Sequence, residues 1–157
     1  MFSAEATKIS KSALLPYRAE QLFSLINDIE SYPDFLNGCY QAEVFANNGD
    51  TIEAKLYLNK RGVNQSFTTR NRLYPNERIT MELVEGPFES LDGEWNITEL
   101  GEQGCKLSLD LAFTLGKSPL MQLAAPFFAE MGNRLVDAVV AEAGRRFNES
   151  QLGSVSQ

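Results

Sequence analysis

Residues 105–115 read Cys105-Lys106-Leu107-Ser108-Leu109-Asp110-Leu111-Ala112-Phe113-Thr114-Leu115. Cys105, Leu107, Leu109, Leu111, Phe113 and Leu115 occupy alternate positions, with Lys106, Ser108, Asp110 and Thr114 between them. A two-residue period held this long predicts a strand with one dry and one wet face. After Gly116-Lys117-Ser118-Pro119 the period becomes helical, and Leu120, Leu123, Ala124, Phe127, Phe128, Met131, Leu135, Val139 and Phe147 trace one stripe. Ser118 suits the helix cap and Pro119 its first turn, while Pro126 is expected to kink or restart the helix. The 22 residues from Pro126 to Phe147 span about 33 Å at 1.5 Å per residue. Such a helix reaches across the concave side of a curved sheet.

Upstream, the same period-two pattern recurs between turn signals. Tyr40, Ala42, Val44 and Ala46 alternate up to Asn47-Asn48-Gly49-Asp50, a strong hairpin signal. Ile52, Ala54, Leu56 and Leu58 follow, then Val63, Phe67 and Leu73 sharing a face with Thr69. Ile79, Met81 and Leu83 run to Gly86-Pro87, and Leu91, Gly93, Trp95 and Ile97 form the strand before residue 105. A first strand is expected within Thr7–Leu15, ended by Pro16. Leu22, Phe23, Ile26 and Ile29 predict a short amphipathic helix over Ala19–Ile29, and Ser31 with Asp34 predicts a capped second turn of helix. The order is strand, two short helices, about six strands in a meander, then one long helix: an α+β chain. A single helix seldom contacts the whole of a curved sheet, so a cavity between them is expected.

The chain has 157 residues, 43% of them hydrophobic and 22% charged, which fits one globular domain over 1–147 with a polar tail over 148–157. Its 14 basic and 21 acidic residues give a net charge of −7, opposite in sign to a general nucleic-acid binder. Histidine is absent, which removes Ser-His-Asp and Cys-His catalysis, a histidine base and His-ligated metal. The two cysteines, Cys39 and Cys105, have 65 residues between them and no CxxC spacing; buried free thiols are expected, with no zinc site or disulfide framework. No apolar run approaches the ~18 residues that span a bilayer, and no signal peptide precedes the first strand. These features place the expected protein in the cytoplasm.

Several motifs carry a resemblance across Lys8 to Phe147. Leu15-Pro16-Tyr17 precedes the first helix, Tyr32-Pro33-Asp34-Phe35-Leu36 follows it, and Phe67-Thr68-Thr69-Arg70-Asn71 lies mid-chain. Gly86-Pro87-Phe88 leads to Leu91, Gly93 and Trp95, and Gly104-Cys105 opens the last strand. Together they resemble the START-like polyketide cyclase/dehydrase family, in its coenzyme Q-binding and bacterial ribosome-association toxin branch. The resemblance implies a helix-grip fold, with a curved antiparallel sheet of about seven strands wrapped around the C-terminal helix. It further implies a lipophilic ligand, with ubiquinone the named candidate and support of respiration the role; no covalent cofactor, metal or catalytic residue is implied. For the bacterial branch it implies binding to the large ribosomal subunit and a block of subunit joining. Two departures stand out: Arg18 where a capping Ser is common, and Asn37-Gly38-Cys39 where Pro-Gly-Cys or Pro-Trp-Cys is usual.

The expected cavity residues are Phe35, Leu56, Phe67, Met81, Leu83, Trp95, Leu109, Phe113, Leu123, Phe127, Phe128, Met131 and Leu135; plain core packing is the alternative for each. Gly93 either lets the strand bend or leaves space beside Trp95. Asp92 and Glu94 read as solvated charges. From Lys55 to Arg78 six basic residues stand against one acid, a net +5 beside −12 for the remainder. Lys60, Arg61, Arg70, Arg72 and Arg78 are therefore the candidate contacts for RNA phosphate or an anionic head group, if not simply a solvated basic patch. A turn at Tyr74-Pro75-Asn76 pairing Leu73 with Glu77 would set Arg72 opposite Arg78. The expected partners are a lipophilic small molecule, then the large ribosomal subunit, with peripheral membrane contact as a further option.

Overall fold

Seven antiparallel strands form one curved sheet against a C-terminal helix in a computed structural model that describes residues 6–60 and 62–148. The strands are β1 (Thr7–Leu15), β2 (Cys39–Asn47), β3 (Thr51–Lys60), β4 (Val63–Tyr74), β5 (Arg78–Glu85), β6 (Phe88–Glu99) and β7 (Cys105–Leu115). Their spatial order is β1-β7-β6-β5-β4-β3-β2. Short turns keep β2 to β7 adjacent in sequence order. The connection after β1 carries α1 (Ala19–Asn27), a 3₁₀ turn (Ile29–Ser31) and α2 (Tyr32–Phe35) over to the far edge.

Helix α3 runs unbroken from Pro119 to Ala143 and ends in a π-helical turn over Gly144–Asn148. The Ser118 hydroxyl accepts the Met121 N–H at 3.2 Å, the cap expected of it. The restart expected at Pro126 does not occur. Pro126 and Gln122 both face solvent, so water can take up the Gln122 carbonyl that proline leaves without an N–H. Of the expected tail, Asn148 belongs to the π-helical turn, where it accepts a hydrogen bond from Tyr17 at 2.8 Å; residues 149–157 lie outside the described residues.

Three local expectations are corrected. Helix α1 stops at Asn27, two residues short of Ile29, because Asp28 leaves helical geometry at φ −83°, ψ 62°. Ser31 does not cap α2 through its side chain; its hydroxyl donates to Asp28 Oδ2 at 2.8 Å. Between β4 and β5, Leu73 pairs with Ile79, and Arg72 faces Thr80 rather than Arg78. The turn itself sets that register: Pro75 leads to Asn76 at φ 63°, and the Glu77 N–H bonds the Tyr74 carbonyl at 3.0 Å. Pro followed by a left-handed Asn is type II turn chemistry. The shift is two residues, so every side chain keeps its expected face.

The core has two lobes. At the end where α3 finishes, Leu22 and Leu25 of α1, Val136 and Val139 of α3, and Trp95, Leu107 and Leu109 of the sheet are almost wholly buried. At the end where α3 starts, Phe88, Phe113, Phe127 and Phe128 pack edge to face, with ring centroids 5.0–6.4 Å apart. Both thiols are buried and unpaired. Burial pushes Cys39 up to about 11 against the pull of backbone hydrogen bonds, and it raises Cys105 with help from the charge of Glu99. Neither is a nucleophile at neutral pH.

Candidate ligand cavity

Between the two lobes the helix and the sheet separate and leave a cavity of about 120 Å³. Even-numbered positions of β3 and odd-numbered positions of β4 to β7 form its floor: Ala54, Leu56, Leu58, Phe67, Thr69, Asn71, Ile79, Met81, Leu91, Trp95, Leu111 and Phe113. Phe88 adds to this wall, Phe128, Met131, Gly132 and Leu135 of α3 face it, and Ile26, Asn27, Ile29, Tyr32 and Leu36 close the side.

Eight of the thirteen expected residues meet here: Leu56, Phe67, Met81, Trp95, Phe113, Phe128, Met131 and Leu135. The other five do not line it. Leu109 is fully buried in the Trp95 lobe, and Phe127 packs on Phe128. Phe35 lies against the Tyr32 ring at 5.4 Å with the Arg146 guanidinium 6.0 Å away, and Leu83 packs on the other lobe's edge. Leu123 is 77% exposed, as Leu120 is at 68%: the stripe begins two turns before α3 reaches the cavity. Of the residues that reading missed here, Ile26 and Ile29 do show a helical period, which marks a dry face without saying that it borders a cavity, while Tyr32 and Leu36 sit in and just after the four-residue α2, too short to show one. Thr69 and Asn71 had a legible signal, since they are polar side chains at the inward positions of an alternating strand.

Gly93 does create room, but neighbours fill it. A Cβ there would meet Leu111 Cδ2 at 2.5 Å and Met81 Cε at 2.9 Å. Gly38 tightens the opposite rim, with φ +99° and Met131 Sδ 3.0 Å from where a Cβ would stand. Lys60 lies beside the same glycine, its Cδ at 3.6 Å, so this one basic side chain stands at the rim.

Polar groups in the wall are few. The Tyr32 hydroxyl donates to the Ile26 carbonyl at 2.6 Å, and burial above all holds its pKa well above the usual phenol range, with the charges of Cys39 and Asp28 adding to it. Thr69 Oγ1 donates to Asn71 Oδ1 at 2.9 Å. The Asn27 amide nitrogen donates to the Phe23 carbonyl at 3.1 Å, and its Oδ1 is buried without a partner. Tyr32 is the one ionisable side chain among these lining residues. The arrangement suits apolar binding and offers no acid–base pair.

The basic segment does not form one patch. Arg72 pairs with Thr51 and Lys60 with Val63, nine residues apart along β3, or about 30 Å. Arg70 is held by Glu53 at 2.9 Å and by Glu82 at 3.6 Å, and these carboxylates raise its pKa further. Arg78 stacks over Tyr74 with 4.3 Å to the ring centroid. Arg61 lies outside the described residues. Asp92 is exposed on the outer face, and Glu94 accepts from Asn96 at 2.7 Å.

Residues 15–140 match the sequence profile of a family described as polyketide cyclase/dehydrase and lipid transport. A protein of Pseudomonas aeruginosa named ribosome association toxin RatA is 41% identical over 138 residues, covering 88% of this chain and 96% of that one. A Xenopus laevis protein named coenzyme Q-binding protein COQ10 homolog B, mitochondrial, is 21% identical across 97% of this chain and 64% of its own length. Among solved structures, the Zhui aromatase/cyclase of a Streptomyces species superposes with a TM-score of 0.75 at 18% identity, covering 90% of this chain and 95% of that one. At that identity the likeness is one of fold.

Proposed function

The chain belongs to the polyketide cyclase/dehydrase and lipid transport family, and from that premise we propose that it binds a lipophilic small molecule between α3 and the sheet without transforming it. The observation that carries this reading is the cavity, whose wall is apolar apart from Asn27, Tyr32, Thr69 and Asn71. Ubiquinone or a similar polyprenyl molecule is the proposed ligand, carried or shielded in support of respiration. The name of the Xenopus relative supports that choice. A volume near 120 Å³ is below the ~300–1,000 Å³ of sites that enclose a drug-sized ligand. A ring fits, and an isoprenoid tail requires Met131 and Leu135 to swing aside. Met131 is suited to that, being unbranched and adaptable.

Organic extraction of the purified protein followed by mass spectrometry tests the reading. A polyprenyl quinone or lipid near one equivalent per chain is expected; no more apolar material than an unrelated protein of equal size carries would overturn it.

A second reading, association with the large ribosomal subunit, is supported by the name of the 41% identical relative. The cavity and the outer surface are separate parts of the molecule, so both activities can reside in one chain. Sedimentation with 50S subunits across a salt series tests it. Co-sedimentation that falls steeply with salt is expected, since phosphate contacts release counterions.

A further inference from the structure

Thr69 and Asn71 are the polar side chains on the sheet side of the cavity. They stand two residues apart on β4, and Asn71 is 6% and Thr69 8% exposed. A buried amide without partners is costly, because each hydrogen bond it made to water is lost and not replaced. The Thr69 hydroxyl answers half of that demand by donating to Asn71 Oδ1 at 2.9 Å. The bond also orients the amide. With its oxygen engaged, Asn71 keeps Nδ2 without an acceptor among the described residues, in a cavity that Ile79, Met81 and Trp95 also line.

We propose that Asn71, positioned by Thr69, is the recognition point of the cavity, and that it selects an apolar ring bearing a carbonyl oxygen. This rests on the reading that the cavity holds a lipophilic molecule and adds the chemistry by which that molecule is chosen. The donor is held in place through Thr69 and has no acceptor among the described residues, so a ligand that supplies one gains a hydrogen bond there. A hydrocarbon of the same shape leaves the amide unpaired, and that asymmetry is the physical source of selectivity. Asn27 on the opposite wall does not compete for the role. Its nitrogen already donates to the Phe23 carbonyl, and its unpartnered buried atom is the oxygen, an acceptor for which a carbonyl ligand has no donor.

The test is calorimetric titration of the native protein, Asn71→Leu and Thr69→Val with two probes. One is a ubiquinone with a single isoprene unit; the other is an alkylated benzene of similar size without oxygen. The native protein should bind the quinone more tightly. Asn71→Leu, close to isosteric, should weaken the quinone about 5–10-fold and leave the hydrocarbon within twofold, as expected for one hydrogen bond. Thr69→Val keeps the amide but frees its orientation, and should weaken the quinone alone by a smaller factor. If Asn71→Leu does not melt cooperatively, Thr69→Val decides. Equal loss of both probes, or no loss of either, would overturn the assignment of Asn71 while leaving the cavity reading intact. Failure of both probes to saturate the native protein would overturn the two together.

Discussion

Trp95 is the single tryptophan of the chain and is 1% exposed, with its ring in the cavity wall. A quinone entering the cavity lies against or close to the indole and accepts an electron or excitation energy from it. Quenching of Trp95 by a short-chain ubiquinone should therefore saturate at one ligand per chain. Leu135→Phe fills part of the cavity and should reduce the saturable quenching, at a cost of about 1–3 kcal/mol from overpacking. A linear response equal to that of free tryptophan would report collisions alone. At the far end of α3, Glu142 is buried and accepts from Arg146 at 2.7 Å and from Arg145, while Arg146 also bonds Asp28 at 3.0 Å. Burial acts to raise the Glu142 carboxyl, but hydrogen bonds and charge from Arg146 and Arg145 outweigh it and hold the group below the ordinary carboxylate range. A depressed folded-state pKa adds stability above the unfolded value near ~4.3, and that contribution is lost as pH falls through the folded value. Glu142→Gln should cost about 1–3 kcal/mol at pH 7 by removing the charge that the Arg145 and Arg146 hydrogen bonds meet. In denaturant titrations the gap to the native protein should be constant at neutral pH and close on acidification; a gap independent of pH would refute the ionic account.

Among the elements, α3 carries the sharpest test. Pro126 interrupts its hydrogen-bond ladder without ending it, so the helix is weakest where it passes from the exposed Leu120 and Leu123 to the cavity-facing Phe128. Pro126→Ala restores one N–H and should stabilise the protein by up to ~3 kcal/mol, the penalty of an interior helical proline. If residues 120–125 gate the cavity, the same change should slow ligand exchange in stopped-flow measurements; unaltered rates would leave Pro126 a purely structural feature. The elements themselves were legible because their periods are long and clean: β7 alternates over eleven residues, and its parity alone identifies the inward face. The β4–β5 register was not legible. It depends on whether the three-residue loop falls at 74–76 or at 75–77, and apolar parity is the same for both.

At the scale of the whole molecule, the charge excess between Lys55 and Arg78 separates on folding. Lys60 goes to the cavity rim, Arg70 to Glu53 and Glu82, and Arg72 and Arg78 to diagonal positions on the outer face near the β4–β5 turn. If the ribosome reads this surface, Arg72→Ala with Arg78→Ala should weaken salt-sensitive co-sedimentation with 50S subunits more than Arg70→Ala, whose guanidinium is already neutralised. The reverse order would assign contact to the centre of the sheet. By itself the sequence determined the order of elements, the dry face of each strand, the want of histidine chemistry and the family. All of these are one-dimensional properties, set by period, turn residues and composition. Tertiary structure alone decided which inward residues line space and which fill it. Leu109 and Phe113 are alike in sequence, four residues apart on one face, yet one is sealed in a lobe and the other borders the cavity. The difference lies in how far α3 stands from the sheet at each point, a distance fixed by side chains from β1, α1 and α3 packing together, which no local pattern contains.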